Sequence, residues 1–418
     1  MKTTTISLQP VRADDDGLLA RFTLGQMCLL QRIIERLRGK IDAAVLAQTN
    51  AWLSVSERLP QEARKRLLVN PYFNQWLFQL VQGYKGGRRA QIEAWLREFP
   101  RFLLIAALQH DLWGETEVSV PLTKEKAIRF PAHPCYIQLP EQVVDASSAS
   151  LRRQDGLLIC IAGGQEFAFS THDLLAGAKN GLICQKTTLP SMDIEVDSSD
   201  PWIISFLETQ SEWDVSPAEI DPASLATLQE SLALLGRAWP EMLAELQEYV
   251  HLIVPFRSET KGASTNTSWP GTIFLNTTLQ SHAYNIERLV HESSHLRLNI
   301  VMNEETLHYH SWDDVVPSPF RKGPRPVSGL YHGAFVVTRS ASALDKVFQL
   351  TGDAAYRQRI GLMINQVEQA LETLNTQVRL SPAGQALLDE ITHEIRMLEE
   401  RYSREEFFSA VVDPYLEG

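Results

Sequence analysis

Residues 288–299 read RLVHESSHLRLN, and the order His291, Glu292, His295 within them constrains the chain more than any other feature. The spelling is H-E-x-x-H, whose chance occurrence in a chain of this length has odds on the order of a few per cent from residue frequencies. Two histidines four residues apart lie one turn apart on the same side of an α-helix, so their imidazoles can converge on one cation. That use demands a helix packed on a core. Ile286, Leu289, Val290, Leu296 and Ile300 fall on one helical face between residues 283 and 301, which meets the demand.

Two imidazoles make an incomplete site, and the third ligand separates the chemistries. A metzincin continuation needs glycine at 298 and histidine at 301, where this chain has Leu298 and Val301. A peptidase site completed by a carboxylate would draw on Glu390 or Glu394, because Glu304 and Glu305 follow His295 too soon to fold back. His308 and His310 follow the motif helix closely and are expected to face solvent or to support the site. His332 is the favoured third ligand: it begins the apolar helix GLYHGAFVV after a loop long enough to let that helix pack on the first.

The surrounding chain has 418 residues, enough for two or three cores. Helical periodicity runs through LLQRIIERLRGKIDAAVLAQ and RAQIEAWLREFPRFLLIAALQ, with Pro60 and KGGRR (85–89) as turns. Short β-rich runs such as GLLICIAGG and EFAFS then alternate with Pro, Gly, Ser and Asp. A long amphipathic helix is expected over about 222–248, strands at VHLIVPF and GTIFLNT, and the motif helix from Ser281. Three helices close the chain after a Pro-rich loop at 313–328. The expected fold is α+β and mostly helical. Its parts are a helical N-terminal region (1–116), a strand-rich middle region (117–215) and a C-terminal helical metal-binding domain carrying a short sheet (216–418).

Composition bounds the partners. A net charge of −12 gives no general footprint for nucleic acid or an anionic membrane. The four cysteines, Cys28, Cys135, Cys160 and Cys184, lack the spacing of a disulfide framework or a cysteine zinc site. The first residues lack an apolar signal core and no apolar run reaches membrane-spanning length, so a cytoplasmic location is expected and the glycosylation spellings at Asn266 and Asn276 are read as accidental.

HESSH followed by PSPFRKGPRPVSGLYHGAF resembles the HExxH-type peptide β-hydroxylases, iron and 2-oxoglutarate enzymes that act on ribosomally made precursor peptides. The shared elements are His291-Glu292-x-x-His295, Ser318-Pro319-Phe320-Arg321, Arg325-Pro326 and Leu330-Tyr331-His332-Gly333. They are dense over about 45 residues, and residues 1–215 carry no shared motif. The resemblance implies an Fe(II)- and 2-oxoglutarate-dependent dioxygenase hydroxylating a side-chain β carbon, with a peptide as partner.

The residues suit that chemistry. An iron(II) oxygenase needs three protein ligands on one face, and His291, His295 and His332 supply them. Three histidines depart from the usual two-histidine, one-carboxylate set, which keeps zinc in play. The distal carboxylate of 2-oxoglutarate is held best by a guanidinium, and Arg321 and Arg325, in a loop stiffened by Pro324 and Pro326, are the candidates. Glu292 would be the general base of a zinc metallopeptidase, or a hydrogen-bonding group beside the metal in an oxygenase. A peptide-binding module without catalysis is the third class. GTIFLNT, just before the motif helix, is either an edge for an extended peptide or an internal sheet strand.

Overall fold

The computed structural model describes residues 7–11, 17–114, 116–131, 133–143, 146–189, 192–210, 214–278 and 281–402. Five helices come first: α1 (Leu18–Leu37), α2 (Ala43–Arg58), α3 (Gln61–Val69), α4 (Pro71–Lys85) and α5 (Arg89–Gln109). Their limits follow from local chemistry. Asp42 accepts from the amides of Ala44 and Val45 at the start of α2, and Asn70 does the same for Tyr72 and Phe73 ahead of α4, whose first residue is Pro71. Gly87, at φ 66°, turns the chain into α5. Aromatic side chains fill the interior, with Trp76 stacked on Phe99 at 5.2 Å.

The middle region forms two small antiparallel sheets. One has the order β1 (Val118–Pro121), β4 (Ser148–Gln154), β5 (Leu157–Ala162), β6 (Gln165–Ser170); the other is β2 (Ala127–Arg129), β3 (Cys135–Gln138), β7 (Ile183–Gln185). The short helices α6 (Thr171–Leu175) and α7 (Pro201–Thr209) accompany them. Strands β8 (Thr188–Leu189) and β9 (Ile194–Val196) leave this region to join β11 (Leu252–Arg257), β12 (Ala263–Ser264) and β13 (Thr272–Asn276) in a sheet of order β12-β13-β11-β9-β8, with β10 (Ser216–Pro217) paired to the end of β11.

That sheet has a core on each face. Ile253, Ile273 and Leu275 point into a core shared with the C-terminal helices. Leu252, Val254, Phe256 and Phe274 point the other way, into a core shared with the N-terminal helices and the middle region. Period-two alternation therefore delivers apolar residues to both sides, which is why β13 is buried along its whole length. Of the two readings of residues 272–276, the exposed edge is overturned. β13 pairs with β11 over Thr272–Asn276 and with β12 at Phe274 and Leu275, so the edge is β12.

The C-terminal part is helical: α8 (Pro222–Ala238), α9 (Pro240–Tyr249), the motif helix α10 (His282–Glu304), α11 (Val327–Thr351), α12 (Ala354–Gln377) and α13 (Pro382–Arg401). The single helix expected over 222–248 is two. Pro240 cannot donate an amide into the preceding turn, and Trp239 sits at φ −148°, ψ 78°, outside helical geometry. Ser281 caps α10 by accepting from the Tyr284 amide. The fold is α+β and mostly helical, with several small sheets in the middle region and a helical C-terminal region. Among the described residues no helix is long and apolar enough to cross a membrane.

Candidate functional site

Helix α10 is buried on nearly every side, including Ile286, Leu289, Val290, Leu296 and Ile300. Its remaining open stripe carries Arg288, His291, His295 and Asn299, which line a cavity of about 320 Å³ together with the buried Glu287 and Glu292. The His291 and His295 rings lie 5.0 Å apart at 71°. His332, on the facing helix α11, stacks on His295 at 5.2 Å and 23°, and the two Nδ1 atoms are 3.0 Å apart. With metal–nitrogen bonds of about 2.1 Å, that spacing suits two neighbouring ligands of one ion. His332 Nε2 lies 3.0 Å from Met302 Sδ. Among the described residues no three His, Cys, Asp or Glu side chains already close on one point, so joint ligation by all three histidines requires ring rotation.

Burial sets the protonation of the trio. It pushes His291 down to about 3, with the charges of Arg288, Arg325 and Arg359 adding to the effect. Burial, then Arg325, brings His332 to about 4. Burial, then its two histidine neighbours, holds His295 well below the ordinary imidazole value. Three neutral imidazoles each keep one nitrogen lone pair, the state a metal ligand needs; the Nδ1–Nδ1 contact of His295 and His332 must open before both can serve. Glu292 moves the other way. Burial raises its carboxyl to about 7 against the pull of Arg288, Lys261 and the polar groups of Thr265.

The Pro-rich loop closes on itself as a hairpin, β14 (Val315–Val316) against β15 (Arg325–Pro326), with Val316 opposite Arg325. The hairpin lays its side chains on two glycines one turn apart on α11. A Cβ at Gly333 would stand 2.3 Å from the Phe320 ring, and one at Gly329 would stand 3.3 Å from Arg325 Nε. Phe320 and Arg325 thereby reach the cavity. Arg325 is half-buried and has no carboxylate at ion-pair distance among the described residues. Arg321 is exposed and does not line the cavity, although its charge acts on Arg325.

Three further cations were not singled out in the sequence: Lys261, Arg288 and Arg359. Together with Arg325 they make four cations in the cavity wall against two carboxylates, Glu287 and Glu292. Glu287 pairs with both Nε and a terminal nitrogen of Arg359. Arg288 lies 3.8 Å from the same carboxylate, while its Nε is buried without a hydrogen-bond partner. Lys261 comes from the polar loop after β11 and Arg359 from α12, so only the fold brings them together. Arg288 stands three residues before His291, and the i,i+3 rule could have found it.

Of the other groups considered for the site, His308 accepts the His310 amide at Nδ1, while its Nε2 is buried without a hydrogen-bond partner and its charge acts on His332; the carboxylates and His310 are occupied elsewhere. Glu390 accepts from the Ser7 hydroxyl and the Leu8 amide, Glu394 from the Ser342 hydroxyl, and Glu304 pairs with Arg21. His310 Nε2 accepts the Arg379 amide at 2.9 Å. No protein-family model matches the chain, and no curated protein matches it at a significant level.

Proposed function

We propose that the protein is an iron(II)- and 2-oxoglutarate-dependent oxygenase that hydroxylates a side-chain β carbon in a ribosomally made peptide. The observation that carries this reading is Arg325, a half-buried guanidinium without a carboxylate partner among the described residues, in one cavity with two neutral imidazoles. His291, His295 and His332 would hold the iron, which when bound supplies the dioxygen chemistry that carbon–hydrogen hydroxylation requires. Arg325 offers the two parallel donors that a distal carboxylate accepts. The excess of cations over carboxylates in the wall favours a dianion as large as 2-oxoglutarate. Glu292 lines the same cavity wall as Thr265 and would serve as a hydrogen-bonding group beside the metal.

The raised Glu292 carboxyl favours a second reading, a zinc metallopeptidase. A carboxyl near 7 is suited to general-base work. Against it, neither Glu390 nor Glu394 is free to complete the usual ligand set. Anaerobic reconstitution with iron(II) or zinc, followed by succinate and cleavage assays with a capped heptapeptide library, separates the two. Succinate release that needs iron(II), oxygen and 2-oxoglutarate is the expected result. Zinc-dependent cleavage that Glu292→Gln abolishes, with no effect of 2-oxoglutarate, would replace the oxygenase reading. No metal uptake at all would leave a peptide-binding module.

A further inference from the structure

The sheet edge, not the loop or the helices, supplies the remaining wall of the histidine cavity. Gly262, Ala263, Ser264 and Thr265 all line it. Ala263 and Ser264 pair on one side only, with Leu275 and Phe274 of β13. In an antiparallel ladder, successive residues alternate between exchanging hydrogen bonds with the partner and turning their N–H and C=O away from it. The Asn276 amide donates to the Gly262 carbonyl at 2.8 Å. Gly262, and with it Ser264, therefore faces β13, and Ala263 and Thr265 turn their backbone groups outward into the cavity.

One of these two outward positions already has a neighbour. Glu292 of the motif helix lines the cavity beside Thr265, whose polar groups act on its carboxyl, so an acceptor stands at that end of the edge. The Ala263 amide and carbonyl have no such partner among the described residues. The edge is also held in place. Tyr284 of the motif helix donates to the Gly262 carbonyl at 2.7 Å, and a Cβ at Gly262 would stand 3.1 Å from that hydroxyl and 3.4 Å from Arg288 Nε. A free edge is ordinarily blunted by charge, proline, a bulge or shortness. This one is short, Ala263–Ser264, but those residues carry no charge and line the cavity with His291 and His295.

We propose that Gly262–Thr265 binds an extended peptide as an added β-strand, with the Ala263 amide and carbonyl pairing with its backbone beside the two histidines. One residue of an antiparallel peptide meets both groups. Its neighbours in the ligand then alternate between the histidines and the opposite side. The proposal rests on the reading that the cavity takes a peptide, and holds whether that peptide is hydroxylated or cleaved.

The test uses the full chain without added iron or 2-oxoglutarate and a positional-scanning library of capped heptapeptides, read by fluorescence polarisation. The best pool is resynthesised with a single N-methyl group at each amide in turn. One position is expected to weaken binding about tenfold, the loss typical of one hydrogen bond, and the peptide should slow hydrogen exchange at the Ala263 amide. Ala263→Pro deletes the outward donor at an edge position where proline is tolerated, and should weaken binding to a similar degree with an unchanged melting temperature. If that variant is unstable, the N-methyl scan on the wild-type chain decides alone. A flat scan with unchanged exchange at Ala263, or a library that does not bind, overturns the proposal. Succinate release alongside a flat scan removes the edge and leaves the oxygenase; peptide pairing at Ala263 without succinate does the reverse.

Discussion

The two larger histidine-lined cavities among the described residues hold imidazoles that burial keeps neutral, and they differ in how their charges are matched. The larger, about 740 Å³, is lined by residues from α3, the middle region and α9, including His133 and His251. Burial pushes both of these down to about 4. Its wall has three cations, Lys65, Arg66 and Lys186, against four carboxylates, Glu62, Asp193, Glu195 and Glu248. Lys186 is committed to the Phe130 carbonyl and to Glu195. The smaller cavity has four cations against two carboxylates, and its histidines adjoin one another. Size and neutral histidines do not separate the two. Adjacent donors and unmatched positive charge do, and both mark the smaller cavity as the place for a metal and an anion.

The largest effect that separates the cavities comes from the histidines themselves. His295→Ala removes the ring that contacts both His291 and His332, and should lower iron affinity by about two decades or more, since even supporting residues of metal sites cost 10–100-fold. His251→Ala in the larger cavity should leave iron uptake unchanged within about twofold. Metal analysis after anaerobic loading and desalting reads both, and equal losses in the two variants would erase the distinction drawn here.

Next in size is the arginine. Arg325→Ala should raise the 2-oxoglutarate requirement by about one to two decades, the loss of a charge-assisted carboxylate contact of ~1.5–3 kcal/mol, while iron stays bound. Arg321→Ala, exposed and outside the cavity wall, should shift it far less, and Lys65→Ala in the larger cavity not at all. Titrating succinate release against 2-oxoglutarate checks the order. Arg321→Ala with the greater effect would move the carboxylate contact to the rim.

How the loop presents Arg325 can be tested separately from charge. Gly333→Ala places a methyl group 2.3 Å from the Phe320 ring, and overpacking of this kind costs typically about 1–3 kcal/mol. For a chain of 418 residues that corresponds to a fall of about 1–4 °C in melting temperature. Displacing Phe320 should also raise the 2-oxoglutarate requirement, because Phe320 and Arg325 belong to one hairpin. Phe320→Leu, which leaves room for the added methyl, should restore part of the loss in the double variant.

These residues also show where the sequence is legible. The motif helix, its cap at Ser281 and its buried face follow from periodicity and capping chemistry, signals that lie within a few residues of one another. The partnership of Phe320 with Gly333 is written only as a motif and acquires a physical cause when the glycine is seen to make room for the ring. Arg359 and Lys261 carry no local signal, since an arginine in an amphipathic helix and a lysine in a polar loop are ordinary surface residues until the fold closes a cavity around them. The undecided edge has a similar origin. A run such as TIFLN reads the same whether one or both of its sides are paired, and β12 is too short to register as a strand.

The last contrast is in pH dependence, and it sets one group from each cavity against the other, a histidine shifted down and a carboxyl shifted up. His133 is 5% exposed and its Nδ1 accepts the Cys135 amide at 3.1 Å. Its native value of about 4 lies below the ordinary 6.5, so as pH falls through that window the unfolded chain takes up the proton first. Stability from this group is complete above about 6.5 and is lost toward 4, with a slope of at most ~1.4 kcal/mol per pH unit. Glu292 has a native value of about 7 against 4.5, so the folded chain holds the extra proton between those values and stability falls as pH rises through them. His133→Asn should therefore flatten the stability profile on the acid side, losing less than the wild type from pH 6.5 to 4. Glu292→Gln should gain on the wild type as pH rises from 4.5 to 7. Urea unfolding of the metal-free chain at pH 4.5, 5.5, 6.5 and 7.5 measures both slopes. Profiles that run parallel to the wild type in both variants would show that neither group titrates differently in the folded and unfolded chain.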